Sequence, residues 1–408
     1  MKLVTGDMLW TGISEMPNQY PYLNSNIECD ILIIGAGISG AIASYYLTKE
    51  GLNSVIVDKN IIGYGSTRAS TSILQYEIDT DLYGLANMIG EKKAVKCFKL
   101  CEKAVYDIEK IVNNLEDNCD FSLKECFYYA TKASRISPLK KEFNIRKKHG
   151  FDVEFLDKES AKKRFSFPTQ GGIYSKSGGA QINPYRFTHA LILKSIENGL
   201  KVFENTEITN IYPSFDYVLL ETKNNFKIKA KKVIITTGYE SRKYIKEKIV
   251  NLLRTFTIAT KPVKNFSGWH NQCIIRDNND PYIYIRNTGD NRIIIGGLDE
   301  KIGGINSKMA NLSNDDFSNK KYDMLFNKLK SFFPNTNDIE IQYKFNGIFG
   351  VTKDGLPYIG EYEGFPNCYF SLGYGSNGIL YCILGGQLLK DLLIGNYNPD
   401  LELFRFNR

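Results

Sequence analysis

The stretch from Cys29 to Asp58 constrains the fold more than any other part of the 408-residue chain. It opens with four consecutive aliphatic residues, Ile31–Ile34, which is typical of a β-strand buried on both faces. The glycine-rich turn that follows reads Gly35, Ala36, Gly37, Ile38, Ser39 and Gly40. The pattern then predicts a helix to about Lys49 and a second strand that ends in Asp58. The stretch therefore predicts a β-α-β unit with parallel strands.

The three glycines of this turn meet separate steric requirements of a bound dinucleotide. Gly35 permits the tight turn, Gly37 lets a pyrophosphate approach the backbone, and Gly40 lets the helix pack closely on the strand. Asp58 lies 18 positions after Gly40 (58 − 40), the usual reach of a carboxylate for ribose hydroxyls. The N–H groups at the start of the helix would hold the phosphates. An ordinary turn without a ligand would not require all three glycines, so the stretch predicts a dinucleotide site.

Two further segments extend this candidate site. The loop after the second strand contains Gly65, Ser66, Thr67 and Arg68. Its small residues, hydroxyls and arginine can donate several hydrogen bonds to a diphosphate, and Lys59 completes the candidate set on this side. A second glycine turn, 373–378, follows a predicted strand at Cys368–Leu372 and starts a helix, whose N-terminus can stabilise the negative charge of a reduced flavin. The alternatives are a flexible surface loop and a plain strand–helix turn.

Composition bounds the remaining classes of function. A chain of 408 residues suggests two domains, which can be interleaved. The net charge of +7 is modest, and basic runs such as Arg146-Lys147-Lys148 indicate a solvated helix face rather than a nucleic-acid surface. The eight cysteines show no paired spacing, so we predict free thiols in a reducing cytosol and no metal site. We expect no signal peptide and no membrane-spanning segment, which predicts a cytoplasmic protein.

Taken together, the motifs resemble those of FAD-dependent oxidoreductases of the D-amino-acid oxidase type, nearest to the gamma-glutamylputrescine oxidase and glycine oxidase branches. The resemblance covers nearly the whole chain and rests on DILIIGAGISG with Asp58, the 65–72 loop, GGAQINP, VIITTG, DGLPYIG and GYGSNGI, in the family's order. It implies an α/β fold with a Rossmann-type FAD-binding domain and an interleaved α+β substrate domain built on an antiparallel sheet. The implied segments are 1–84, 166–244 and 341–408 for the first domain, and 85–165 and 245–340 for the second.

The same resemblance implies the remaining contacts to the cofactor. Ile208 would meet the adenine through its backbone, and Gly238 would line the nucleotide. The residues that would face the flavin ring are Gly375, Ser376, Asn377, Gly378 and Ile379. Sarcosine oxidases attach their flavin to a cysteine near the segment that corresponds to Ile348-Phe349 in this chain. Because no cysteine lies between Ile339 and Gly360, non-covalent FAD is expected.

Departures from the family pattern bear on the substrate. Glycine oxidase carries arginines near where Ile348-Phe349 stand and where Ser376 stands, and those arginines hold the substrate carboxylate. Their absence predicts that glycine is a poor substrate. Tyr284 and Arg286, on a predicted strand facing the flavin, are the candidates for positioning the substrate, and the alternative is a solvent-facing pair on a strand.

We therefore predict an FAD-dependent oxidoreductase that oxidises an amine or amino acid. The substrate would give a hydride to flavin N5, and water would hydrolyse the resulting imine. O2 or an electron carrier would accept the electrons. One alternative is a flavin dehydrogenase of a hydroxy acid or polyol phosphate. Another, from a different class, is a flavoprotein subunit whose FAD is structural. The sequence leaves the substrate, the electron acceptor and the oligomeric state open.

Overall fold

Two β-sheets with helices packed on them make up the described part of the chain. The structure is a computed structural model that describes residues 3–245, 247–302, 312, 316–334 and 339–408. Its strands are β1 (Val4–Gly6), β2 (Ile27–Ile34), β3 (Ser54–Val57), β4 (Ile73–Gln75), β5 (Ser122–Tyr129), β6 (Val153–Asp157), β7 (Gly171–Gln181), β8 (Lys201–Phe203), β9 (Ile208–Pro213), β10 (Val218–Thr222), β11 (Lys227–Ile235), β12 (Asn251–Thr260), β13 (Ile274–Asp277), β14 (Ile283–Asn287), β15 (Ile293–Lys301), β16 (Ile341–Val351), β17 (Tyr358–Glu361) and β18 (Cys368–Leu372).

The helices pack on the outer faces of these sheets and between them. They are α1 (Leu9–Ile13), α2 (Ile38–Lys49), α3 (Leu82–Ile89), α4 (Glu91–Val112), α5 (Ile136–Lys148), α6 (Lys158–Lys162), α7 (Pro184–Glu197), α8 (Asp316–Phe332) and α9 (Gly378–Leu393). None of these helices is both long enough and apolar enough to cross a bilayer.

The first sheet is formed around β2 and has the order β17-β18-β11-β2-β3-β8, with β9 and β10 attached to β11. The strands from β18 to β8 run parallel, and β17 pairs antiparallel at the edge. Leu32 and Ile33 are both fully buried and belong to different hydrophobic cores, one on each face of the sheet. This burial explains the unbroken aliphatic run, since helices and loops cover both faces of a parallel sheet. The predicted Rossmann-type arrangement is confirmed.

Two helices of the first sheet begin at the same edge. α2 follows the carboxyl end of β2, and α9 follows the carboxyl end of β18. Their first turns lie close together, because Ser39 Oγ is 2.9 Å from Cys382 Sγ. Farther along, an added Cβ at Gly386 would lie 2.7 Å from the Tyr46 ring, so the two helices pack in near contact. Both helix N-termini therefore present their free N–H groups at one edge of the sheet.

The second sheet is largely antiparallel and has the order β1-β16-β12-β15-β14-β13-β5-β7-β4, with β6 paired to β7. The pairing of β13 with β5 is parallel. One face of this sheet is packed under α8, where Leu325 and Leu329 cover Ile285 and Ile295. The other face is turned towards the carboxyl ends of the first sheet, where it forms one wall of a cavity. The predicted antiparallel substrate sheet is therefore present.

Sheet membership differs from the predicted domain boundaries at four strands. β1, β4, β7 and β16 belong to the second sheet, although the segments that contain them were assigned whole to the FAD-binding domain. β16 shows the reason, because it pairs with β12 from Asn251 opposite Val351 to Thr260 opposite Ile341. A partner so distant in sequence is chosen by tertiary packing, which the local pattern does not reveal. Residues 1–2, 246, 303–311, 313–315 and 335–338 of the predicted segments lie outside the described residues.

Candidate active site

A cavity of about 490 Å³ lies where the first sheet meets the second. The carboxyl ends of β2, β3, β11 and β18 form one side, and residues of β12 to β16 form the other. Ligands of open parallel sheets bind at these strand ends. The predicted cofactor residues that line the cavity are Gly35, Gly37, Ile38, Ser39, Asp58, Lys59, Gly65, Ser66, Thr67, Arg68, Ile208, Gly238, Gly375, Ser376, Asn377, Gly378 and Ile379. From the predicted set, Ala36 and Gly40 do not line it.

The glycine turn has one position that is open to the cavity and two that are closed by backbone. Gly35 has a φ of +103°, and an added Cβ would lie 2.8 Å from the Thr236 carbonyl oxygen. At Gly40 an added Cβ would lie 1.9 Å from the Gly35 oxygen, so any side chain would push α2 off β2. At Gly37 the nearest described atom is Thr67 Oγ1 at 3.0 Å, and no other lies within 4 Å. The backbone at Gly37 is therefore accessible to a bulky group.

Asp58 is held by backbone donors at the end of β3. Its Oδ2 accepts a hydrogen bond from Ala36 N at 2.7 Å, and its Oδ1 accepts one from Asn60 N at 2.8 Å. Burial raises the pKa of Asp58, although these two hydrogen bonds and the nearby Lys59 act to lower it. Each carboxylate oxygen has a second lone pair for a further donor. Lys59 Nζ lies 2.6 Å from Glu240 Oε1, so this lysine is ion-paired at the rim of the cavity.

The loop after β3 folds into a short 3-10 helix, Ser66–Ala69, beside the glycine turn. Thr67 Oγ1 accepts a hydrogen bond from Ile38 N at 3.0 Å, which links the loop to the start of α2. The Arg68 guanidinium packs over the Tyr64 ring, with 4.8 Å between its Cζ and the ring centroid. Its buried Nε has no hydrogen-bond partner among the described residues. The loop thus presents an unused cationic donor to the cavity.

The second glycine turn is held by an acid that sequence analysis missed. Asp79 accepts hydrogen bonds from Ser376 N at 3.0 Å and from Ser376 Oγ at 2.5 Å, and Tyr282 donates its hydroxyl to Asp79 at 3.3 Å. Gly375 has a φ of +54°, and an added Cβ would lie 2.6 Å from Asp79 Oδ2. Asp79 therefore connects the N-terminus of α9 to the second sheet. No local pattern around Asp79 indicates this role, because its partners are about 200 and 300 positions away.

Polar side chains from four adjacent strands form the opposite wall of the cavity. They are Thr255 and Thr257 on β12, Arg276 on β13, Tyr284 on β14 and Asp299 on β15, with Tyr282 just before β14. The Arg276 guanidinium lies over the Tyr282 and Tyr128 rings, 4.5 and 5.1 Å from their centroids. Burial alone would lower the pKa of Arg276, but the neighbouring Tyr128, Tyr282 and Asp79 raise it overall. Its Nε has no hydrogen-bond partner in the described part of the chain.

The structure separates the two predicted positioning residues. Tyr284 lines the cavity, with its ring over Gly296, where an added Cβ would lie 2.5 Å from the hydroxyl. Arg286 lies on the same face of β14 but outside the cavity, where it donates to Ser72 O at 2.9 Å and Ile182 O at 3.3 Å. Arg286 therefore lies outside the cavity that Tyr284 lines, and Arg276 lines that cavity instead. Side chains alternate along a strand, so the sequence could predict that Tyr284 and Arg286 lie on the same face of β14. It could not predict where along that face the cavity ends, because neighbouring segments set that edge.

A Rossmann-type sheet whose glycine turn opens into a cavity shared with an antiparallel sheet defines a dinucleotide-binding oxidoreductase. The family model described as FAD dependent oxidoreductase (DAO) matches residues 30–392, and the chain belongs to that family. The predicted resemblance is confirmed.

Comparisons with individual proteins agree with this membership. The gamma-glutamylputrescine oxidoreductase of Escherichia coli is 22% identical over 386 residues, which are 92% of this chain and 85% of that protein. A Bacillus subtilis protein provisionally named as a Rieske 2Fe-2S iron-sulfur protein is 22% identical over 98% of this chain and 75% of its own length. The crystal structure of glycine oxidase from Geobacillus kaustophilus has a TM-score of 0.77 at 20% identity, covering 93% of this chain and 99% of that one.

The residues around the cavity fit the cofactor of this family. The open side of Gly37 leaves room for a pyrophosphate, and the unused Nε of Arg68 is a donor for its oxygens. Cys382 is the cysteine that lines the cavity among the described residues. Burial raises the pKa of Cys382 to about 12, which keeps it a thiol and a poor nucleophile at neutral pH. FAD held without a covalent bond is consistent with this site.

Proposed function

We propose that this chain binds FAD in the cavity between its two sheets and uses it to oxidise an amine or amino acid. The observation that carries the proposal is the continuity of one cavity from the glycine turn at Gly37 to the wall that holds Arg276 and Tyr284. FAD, when bound, supplies the acceptor for a hydride and passes the electrons to O2 or an electron carrier. The protein's own residues bind the cofactor, orient the substrate and exclude water.

The proposed cofactor contacts follow the order of the lining residues. The 35–40 turn and the start of α2 hold the pyrophosphate with backbone N–H groups, and Arg68 adds a cationic donor. Asp58 accepts hydrogen bonds from ribose hydroxyls. Ile208 and Gly238 line the adenosine half, and the 375–379 turn lies against the flavin ring. Lys59 stays at the rim with Glu240 and contributes positive charge near the nucleotide.

Arg276 and Tyr284 are the proposed substrate-positioning residues. Arg276 is partly buried, and its buried Nε has no hydrogen-bond partner among the described residues. Because a charge without a partner is costly to bury, this guanidinium is a favourable site for an anion. A substrate carboxylate would meet that need. Burial raises the pKa of Tyr284 to about 12, so its hydroxyl remains protonated and donates a hydrogen bond. This arrangement favours an amine that also carries a carboxylate.

Domain organisation and location are part of the proposal. The FAD-binding domain comprises the first sheet with α2, α7 and α9, and the substrate domain comprises the second sheet with α8. This proposed division assigns β1, β4, β7 and β16 to the substrate domain, unlike the segments predicted from the sequence. All eight cysteines are free and buried, which suits a reducing cytoplasm. We propose that the partners of this protein are small molecules and not nucleic acids.

An anaerobic reduction screen tests the proposed function. Purified protein with bound FAD is mixed with amines, α-amino acids, glycine, a hydroxy acid and glycerol 3-phosphate, and the loss of flavin absorbance is recorded. We expect reduction by one or more amino compounds that are larger than glycine. Rapid reduction by a hydroxy acid or polyol phosphate alone would contradict the proposal, and reduction by nothing in the screen would favour a structural FAD.

Arg276→Met should weaken the use of any substrate that carries a carboxylate. A hydrogen bond between charged groups contributes about 1.5–3 kcal/mol, so we expect kcat/KM to fall roughly 10- to 100-fold, mainly through KM. The control is Arg286→Met, which removes the bonds to Ser72 and Ile182. That variant should lower the melting temperature without changing KM. Equal effects of both substitutions on KM would refute the assignment of Arg276.

Acid precipitation should release the cofactor intact. The described cavity contains one thiol, Cys382, whose pKa is raised to about 12 by burial, and we expect no bond from it to the flavin. After trichloroacetic acid treatment, the yellow chromophore should appear in the supernatant and match FAD by chromatography. Flavin that stays with the protein pellet would contradict non-covalent binding, and Cys382→Ala would then identify the attachment site.

A further inference from the structure

One strand of the cavity wall contains a β-bulge that changes which face its side chains take. β15 pairs with β12 so that Phe256 lies opposite Gly297, but Arg254 lies opposite Glu300. Two steps along β12 (256 to 254) therefore match three steps along β15 (297 to 300). Leu298, with a φ of +55°, and Asp299 share the position opposite Thr255. An extra residue of this kind re-aims the side chains that follow it.

The bulge turns Asp299 into the cavity. Ile293 and Ile295 belong to the core under α8, and strict alternation would put position 299 on that same face. Instead Leu298 packs against that core, and Asp299 lines the cavity. At this point of β15 a carboxylate therefore faces the cavity, and an apolar side chain faces the core. Asp299 Oδ1 is buried and has no hydrogen-bond partner among the described residues.

A buried carboxylate oxygen that lacks a hydrogen-bond donor is costly, and a cationic ligand offsets that cost. We propose that Asp299 binds the amino group of the substrate and takes its proton, while Arg276 on the same wall holds the carboxylate. This inference rests on the proposed function and narrows its substrate class to amino acids or carboxylated amines. The step is a proton transfer: one N–H bond of the ammonium breaks, an O–H bond forms on Asp299, and no electrons change hands. The neutral amine that results is the form that can be oxidised.

The electrostatics of the wall suit this role. The groups that face Asp299 are Thr255 from β12, Arg276 from β13, Tyr282 and Tyr284 at β14, Lys321 from α8 and Asp79 from the loop before α3. Burial raises the pKa of Asp299 to about 7; the Thr255 hydroxyl, Lys321 and Arg276 lower it, and Asp79 raises it. A base with a pKa near the working pH accepts and releases protons readily. Asp299 Oδ1 and Arg276 Nε both lack a hydrogen-bond partner among the described residues, so both remain available to a zwitterion.

Asp299→Asn tests this assignment, because it removes the charge and keeps the shape. With the amino substrate found in the screen, kcat/KM of the wild type should rise with pH through about 7 as Asp299 ionises. In the variant that rise should disappear, and kcat/KM at pH 8 should fall roughly 100-fold. FAD content and the melting temperature should match the wild type. Asp299→Glu should recover the ionisation, and it serves as the second variant if Asp299→Asn folds poorly.

A binding measurement separates recognition of the amine from turnover. A carboxylic acid that lacks the amino group should perturb the flavin absorbance with the same or lower Kd in Asp299→Asn, because a negative charge has been removed. The matched control is Glu300→Gln, the next residue on β15, which pairs with Lys321 on the α8 side. It should leave the pH profile unchanged.

The outcomes distinguish this inference from the proposed function. If an amino compound reduces both wild type and Asp299→Asn with the same pH profile, the role of Asp299 is wrong and the function stands. If only a hydroxy acid or polyol phosphate reduces the wild type, the function and this inference both fail. Weaker binding of the amine-free acid in the variant would also overturn the inference, because it would indicate general damage to the site.

Discussion

Gly37→Val is expected to yield a folded protein that binds FAD roughly 100-fold more weakly and purifies with little yellow colour, a change of about 2.7 kcal/mol in binding. At Gly37 the cavity side of the backbone is open, and Thr67 Oγ1 at 3.0 Å is the sole described atom near an added Cβ. The valine side chain would therefore occupy the space where the pyrophosphate must lie, and within the apoprotein only the Thr67 side chain would have to shift slightly. Flavin stoichiometry from the absorbance spectrum and the Kd from fluorescence titration measure the effect.

The control for this substitution is Gly289→Val. An added Cβ at Gly289 would meet the Asp120 side chain at 3.1 Å, so the two glycines are equally close to one side chain. Gly289 does not line the cavity, and its variant should retain full flavin content. Normal FAD stoichiometry in Gly37→Val, with the same Kd as wild type, would mean that the cofactor does not lie against this turn.

Arg146→Met is expected to lower the free energy of unfolding by about 3–5 kcal/mol. Arg146 is 1% exposed; its Nη1 donates to Glu77 and its Nε donates to Glu142 at 2.6 Å. Glu142 also accepts the N–H groups of Leu82 and Tyr83, which begin α3. Removing the arginine would leave two buried carboxylates without a cation, and the first turn of α3 would lose its anchor. Urea unfolding followed by circular dichroism measures the difference.

Arg186→Met is the matched control for that prediction. Arg186 also pairs with two carboxylates, Asp117 and Asp120, but about a third of its side chain is exposed to solvent. Because water screens such pairs, its loss should cost less than about 1 kcal/mol. Equal loss of unfolding free energy in the two variants would show that burial does not determine how much the Arg146 ion pairs contribute to stability. FAD should be removed from both samples first, since bound ligand shifts apparent stability.

The two chemically important walls of the cavity differ in how they are built. The proposed cofactor side uses the carboxyl ends of four strands and the N-termini of two helices. The substrate side uses charged and phenolic side chains on the flat face of an antiparallel sheet, among them Arg276, Tyr284 and Asp299. Substitutions on the first side should therefore act on cofactor content, and substitutions on the second should act on substrate selectivity. This division makes the predictions above separable by experiment.

The sequence by itself determined the first sheet and the class of enzyme. The β2 strand, the glycine turn, α2 and Asp58 are adjacent in the chain, and their requirements are local: glycine for close backbone approach, apolar runs for a doubly buried strand, and a carboxylate at a fixed distance. The 373–378 turn obeys the same rule at the start of α9. Because the residues of each motif are enough to explain its local structure, the family could be recognised and FAD expected before any tertiary contact was known.

Only the tertiary structure decided which side chains of the second sheet line the cavity. β16 belongs to the second sheet because β12, far away in the chain, pairs with it. Arg286 and Tyr284 share one face of β14, yet Trp10 on α1 and the loop at Ser72 cover the arginine and leave the tyrosine in the cavity. Asp299 faces the cavity because one extra residue in β15 reverses the alternation of its side chains. Periodicity predicts a face from neighbouring residues, whereas bulges, sheet edges and covering loops depend on segments that meet only when the chain has folded.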